Sequence, residues 1–154
     1  MSANVIVVVE QEFDHPRPRV FRAWTAPEEM SQWRGSPGWH VERESVTSDL
    51  RTGGKHHHVK VRDDDPSVRV TTDAVFTEYF DPDVFVARQR ITGDSGIDPN
   101  ESLELRVEFT AMGGDSTLVR IVQGPYDPAV AQYHAAGWEK ELARLGTYLD
   151  GGQA

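Results

Sequence analysis

The 154-residue chain contains no cysteine, which excludes disulfides, thiol nucleophiles, thiolate zinc sites and iron–sulfur ligation. Long apolar runs are also missing. The longest strongly apolar stretch, Val5–Val9, falls far short of the roughly 18–20 residues that cross a bilayer, so no membrane span is expected. It is too short for a signal-peptide core, and no basic region or small-residue cleavage site surrounds it, which makes the cytoplasm the expected location. Positive charge is scarce: 16 Lys and Arg stand against 25 Asp and Glu, a formal net charge of −9. That balance repels phosphate backbones and anionic lipid, so nucleic acid is not an expected partner. No Ser-His-Asp order, nucleophile elbow, phosphate loop or two-metal carboxylate set occurs, which leaves hydrolytic and phosphoryl-transfer chemistry without a warrant. Internal repeats, low-complexity tracts and linkers are absent, and a chain of this length can bury roughly 68–70% of its unfolded surface without metals or disulfides. One domain over residues 3–150 is expected.

The residues present alternate between strand and helix signals. Val5–Phe13 reads as a β-strand closed at Asp14-His15-Pro16. Val20, Phe21 and Trp24 share one face of a short helix, with Asp14 as its cap and Pro16 or Pro18 in its first turn. Thr25-Ala26-Pro27-Glu28 has the form of a capping box and opens a second short helix carrying Met30 and Trp33. The segment Gly35–Gly38 breaks it. Six strands are expected near Trp39–Thr47, Lys55–Arg62, Val68–Phe80, Asp83–Ile91, Ser102–Thr110 and Ser116–Gln123, joined by turns rich in Gly, Asp and Pro. In the fifth of these Leu103, Leu105, Val107 and Phe109 alternate with polar residues, so one face of the sheet is covered. The covering element is a last helix capped by Asp127, opened by Pro128 and running to about Leu149, with an apolar stripe of Ala131, His134 or Ala135, Trp138, Leu142, Leu145 and Leu149.

The order strand, two short helices, six strands and long C-terminal helix is that of an α+β helix-grip (START-like, Bet v-like) fold: a curved antiparallel sheet of about seven strands wrapped around the terminal helix. The segments Pro16, Val20–Glu28, Trp33, Asp49–Gly54, and Gly137-Trp138 with Leu142 and Leu145 add to this order. With them the chain resembles the START-like (SRPBCC) superfamily, in its heat-shock-protein ATPase activator-like branch, from about Val5 to Leu149. The resemblance implies a cavity between sheet and helix and does not imply one activity, since relatives include lipid and hormone carriers, polyketide cyclases, aromatases and chaperone co-factors.

His56-His57-His58 is the most unusual segment. Alternation puts His56, His58 and Lys60 on one face and His57, Val59 and Val61 on the other. The family pattern after Gly53-Gly54 directs the positions of His56 and His58 at the cavity, whereas hydrophobicity alone would bury Val59 and Val61; the family register is followed here. With His134 or Glu78 as third ligand a metal site is conceivable, but two imidazoles at i, i+2 do not fix a tetrahedral geometry, so no metal and no cofactor is assigned. Glu78 follows Phe76 in Ala74-Val75-Phe76-Thr77-Glu78, a segment resembling a family pattern that places a carboxylate in the cavity, where burial would raise its pKa and suit it to acid–base work. The competing reading pairs Glu78 with Arg88 or Arg90. Trp24 and Trp33 pack the short helices at the open end of the sheet, with Gly35–Gly38 as a rim, and Trp138 faces the sheet beside Gly137. Arg51 of the Asp49–Gly54 turn is a carboxylate binder, and Asp63-Asp64-Asp65 is a solvated hairpin tip.

The leading reading is a protein that binds a small hydrophobic or amphipathic molecule between sheet and helix, with Trp138, His134, Phe76, Glu78, His56, His58 and Trp33 as ligand-binding residues. One alternative is a module that stimulates a chaperone ATPase. Another is a cyclase, aromatase or hydrolase-type enzyme using Glu78 or a cavity histidine. An edge strand or the loop rim offers a surface for a homodimer.

Overall fold

The computed structural model describes residues 4–152. Strand β1 (Val5–Phe13) turns Val7, Val9 and Phe13 inward and leaves Ile6 and Val8 exposed. After the helices α1 (Arg17–Thr25) and α2 (Pro27–Trp33) come β2 (Trp39–Val41), β3 (Thr47–Ser48) and β4 (Lys55–Arg62). The chain continues through β5 (Arg69–Phe80), β6 (Val84–Gly93), β7 (Ser102–Ala111), β8 (Thr117–Tyr126) and α3 (Pro128–Leu149). All pairings are antiparallel, in the order β1-β8-β7-β6-β5-β4-β2, with two-residue β3 also on β4. The sheet curls around α3, the helix-grip architecture expected from the element order.

Local chemistry explains where the expected boundaries shift. Asp14 does not cap α1: the residue at the cap is Pro16, with no side-chain hydrogen bond. Thr25 cannot form a capping box with Glu28, because its hydroxyl donates back to the Phe21 carbonyl (2.9 Å) and Ala26 occupies the cap of α2. The long strand expected over Trp39–Thr47 is broken by a 3₁₀ turn at Arg43–Ser45. There the Ser45 hydroxyl accepts from the Val59 amide (2.8 Å), taking a donor that a continuous ladder would have used.

The cap of α3 forms as expected, with the Asp127 carboxylate accepting from the Ala129 amide (2.8 Å). Asp127→Ala is expected to cost about 1 kcal/mol, read as a lower urea midpoint with an unchanged m-value.

Two features of the sheet set the register around the interior. In the turn before β4, a side chain at Gly54 would place its first carbon 1.9 Å from the Asp49 carbonyl oxygen, and Gly53 has φ +85°. Only glycine fits both demands. Their backbones then bond β5, with Gly53 N–H to the Phe76 carbonyl (2.7 Å) and Phe76 N–H to that of Gly54 (2.9 Å). The second feature is a β-bulge between Phe76 and Glu78, where Phe76 pairs with Ala87 and Glu78 with Val86. The extra residue reverses the side-chain alternation beyond it.

Under α1 the interior is filled by aromatic rings. Phe21 meets Phe109, Tyr79 and Phe85 edge-on at 4.9, 5.5 and 6.2 Å between centroids. The Trp33 indole packs on Trp24 at 4.8 Å and donates to the Ala23 carbonyl (2.9 Å), locking α1 to α2. Glu29 ties the same corner to α3, receiving Arg19 (2.6 Å), Arg22 (2.9 Å) and the Tyr148 hydroxyl (2.9 Å). The plug occupies one end of the groove beneath α3 and leaves space towards the helix N-terminus.

Candidate functional site

That space is a cavity of about 320 Å³ between the N-terminal half of α3 and the inner face of β4, β5, β6 and β8. The size lies at the lower end of the range for small-molecule sites. Its helix wall presents Trp138, His134 and Glu141, and its sheet wall His58, Lys60, Gln89, Gln123 and Tyr126. Val70, Ile91 and Ile97 add apolar surface, Arg34 completes the wall beside Glu141, and Pro37 and Trp39 form the rim.

The floor is a connected set of hydrogen bonds. The Trp138 indole N–H (2.7 Å) and the Tyr126 hydroxyl both donate to Oε1 of Gln123, whose amide N–H donates to Oε1 of Gln89 (2.8 Å). Gln89 and Gln123 are both buried. The Trp138 ring is therefore held by its polar edge, in one orientation, with its flat surface left for packing.

Charge is concentrated on one side. Glu141, 5% exposed, accepts the Gly35 amide (2.5 Å) and Nε of Arg34 (3.3 Å) through the same Oε1. Burial opposes its ionisation, but Arg34, Lys60 and the Gly35 amide outweigh that and hold its carboxyl below the usual range. The Arg34 guanidinium lies over the rings of Trp138, Trp24 and Trp33 at 5.1, 5.5 and 5.7 Å. Lys60 sits above Trp39 (5.8 Å). Desolvation lowers its pKa, against the attraction of Glu141.

Both sides of the β4 question hold. His56 and His58 face the interior, as the family register requires, and Val59 and Val61 are buried on the other face. Nε2 of His56 and Nδ1 of His58 share a hydrogen bond (2.8 Å), and Nδ1 of His56 meets the Ser48 hydroxyl (3.0 Å). Burial, with Arg34 nearby, lowers His56 to about 4 and His58 well below the ordinary imidazole range. His134 stacks on Tyr126 (4.7 Å, 14°) and is also lowered, mainly by burial. The Ser95 backbone opposes that lowering in part, and the Nε2 of His134 is buried. His57 lies outside, paired with Asp73 (2.7 Å).

The sequence-derived residues thus divide. Trp138, His134 and His58 line the main cavity. His56 and Phe76 line a second hollow of about 30 Å³, on the scale of one water molecule, which His58 also borders. Trp33 is fully buried in the α1–α2 corner and borders neither. Glu78 borders neither, because the bulge turns it onto the outer face. Its partner there is Arg106 (3.5 Å), and not Arg88 or Arg90. A set of His56, His58 and Glu78 is therefore not assembled, and among the described residues no three His, Asp or Glu are grouped to hold a metal ion. Arg51 binds its own neighbour, Asp49 (2.8 Å).

Several residues escaped the sequence reading. Gln89 shares the parity of Ala87 and Ile91, and Gln123 that of Val119 and Ile121, so both could have been found as polar residues in buried register. Glu141 lies three residues after Trp138 and four before Leu145, on the apolar stripe itself. Its partner Arg34 carries no comparable signal.

Comparison with known proteins agrees with this architecture. No helix among the described residues is long and apolar enough to cross a membrane. No curated protein matches the chain. Among solved structures, a protein of Chromobacterium violaceum is similar at 17% identity and a TM-score of 0.81, over 94% of this chain and 96% of that one. The AHSA1 protein of Silicibacter pomeroyi gives 18% and 0.81, over 95% and 98%. DynU16, a protein of the dynemicin biosynthetic locus, gives 20% and 0.72, over 96% of this chain and 48% of that one. At these identities the likeness is one of fold. The family model for Activator of Hsp90 ATPase homolog 1-like protein matches residues 14–150, a span that takes in both short helices, the Gly53-Gly54 turn and the cavity wall of α3. With nearly the whole START-like framework matched, the chain belongs to the Activator of Hsp90 ATPase homolog 1-like family.

Proposed function

We propose that the protein binds a small amphipathic molecule in the cavity between the sheet and α3. The carrying observation is that about 320 Å³ of space adjoins a floor of fixed polar groups and the oriented Trp138 ring. Polar groups fixed in position beside the apolar and aromatic surface of Trp138, Val70 and Ile91 suit a molecule that has both characters. Trp138, His58 and His134 supply the contact, with Lys60, Gln89 and Glu141 added to the residues nominated from sequence. Glu78 is no longer offered as an acid–base group, since its carboxylate lies on the outer face.

The test is a panel of apolar and amphipathic compounds followed by melting temperature and tryptophan emission. Binders at 100 times their Kd should add about 2.7 kcal/mol of apparent stability and change the emission. A Trp138→Phe variant should lose most of the emission change. A flat response across the panel removes this reading.

A further inference from the structure

We infer that the molecule held in this cavity carries an anionic group, such as a carboxylate, that pairs with Lys60 beside Arg34. This rests on the cavity reading above and adds the charge of the occupant. Three ionised side chains reach the deep part of the cavity: Arg34, Lys60 and Glu141. Glu141 is already engaged, by the Gly35 amide at 2.5 Å and Arg34 Nε at 3.3 Å. Lys60 makes no ion pair among the described residues and feels Glu141 only through space. Part of its side chain still touches the open cavity, although its ammonium is deeply set among protein atoms. His58 beside it is neutral. At the mouth, Asp94 and Lys140 are exposed and offset each other.

The deep cavity therefore holds two cations and one anion, an excess of one positive charge inside a chain whose net charge is −9. A cation withdrawn from water without a counter-ion is costly, and an entering anion removes that cost where a neutral molecule does not. Geometry adds direction. Arg34 is held by its contacts with three indole rings, so it needs no reordering to stand beside an arriving carboxylate. The apolar body of the same molecule would then lie against Trp138 and Ile91, which line the same space.

The experiment compares matched acids and alcohols on the full chain by calorimetry at pH 7, using naphthalene-2-carboxylate against naphthalene-2-methanol and decanoate against decanol. In at least one pair the acid should bind about ten-fold tighter or better. Lys60→Met should bring the acid down to the affinity that the same variant has for the alcohol, and the alcohol binding that remains reports an intact cavity. Lys60→Gln serves the same purpose if the methionine variant does not fold. Lys60→Arg should keep the preference. Equal affinities within every pair, or a preference that survives loss of the Lys60 charge, overturn the inference while leaving the cavity reading in place. Binding by no member of either pair removes both.

Discussion

Glu141→Gln is expected to destabilise the fold by about 3–5 kcal/mol, the usual cost of removing one partner of a buried ion pair. The substitution keeps the shape of the side chain and an oxygen for the Gly35 amide, and removes only the charge. What remains is Arg34 among three tryptophans and Lys60 in the cavity wall, with no carboxylate between them. Because Arg34 joins α2 to α3 through this contact, the loss should appear as a lower denaturation midpoint for the whole domain. Removing both charges, as Arg34→Gln with Glu141→Gln, should recover part of the loss. A single-variant loss below about 1 kcal/mol would mean that the cations relax into water and the pair is not buried in solution.

Acidification from neutral pH should weaken the fold before most carboxylates titrate, and the cause is the His56–His58 pair. Both imidazoles are held below their ordinary range, chiefly by burial, His56 at about 4. In the unfolded chain they take up protons as the pH falls through about 6.5, while the folded protein resists until the pH nears the folded value. The stability that His56 carries is therefore fully present above about pH 6.5 and is lost progressively down to about pH 4. For His56 alone the difference is on the order of 3 kcal/mol, and His58 adds to it. His134, lowered in the same direction, contributes as well. Denaturant midpoints at pH 7 and pH 4.5 provide the check, and the double variant His56→Gln, His58→Gln should show a clearly smaller difference between them. An equal difference in both proteins would remove the histidines as the cause. Glu141 works in the same sense at lower pH, because its depressed carboxyl contributes above the ordinary carboxylate range and fails as the pH falls through its folded value.

Much of the frame can be read along the chain because it follows from local spacing. Alternation in β7, the stripe of Trp138, Leu142, Leu145 and Leu149, the Asp127 cap and the Gly53-Gly54 turn each depend on residues within a few positions of one another, and each forms as read. The helix starts were less secure: Thr25 can bond backward to Phe21 or forward to α2, and spacing does not choose between them.

The cavity's chemistry lies on another level. Sequence alone determined the covering helix and the strands other than the one broken at Arg43–Ser45, and it left β4 between two registers. Tertiary structure decided which polar groups meet. One extra residue in β5 moves Glu78 to the outer face, and alternation gives no warning of a bulge. Arg34 finds Glu141, and Gln123 finds both Gln89 and Trp138, only when the sheet curls around α3 and brings distant segments together. A buried charge is tolerated only beside its partner, and that partner is chosen by proximity in space, which no local pattern encodes.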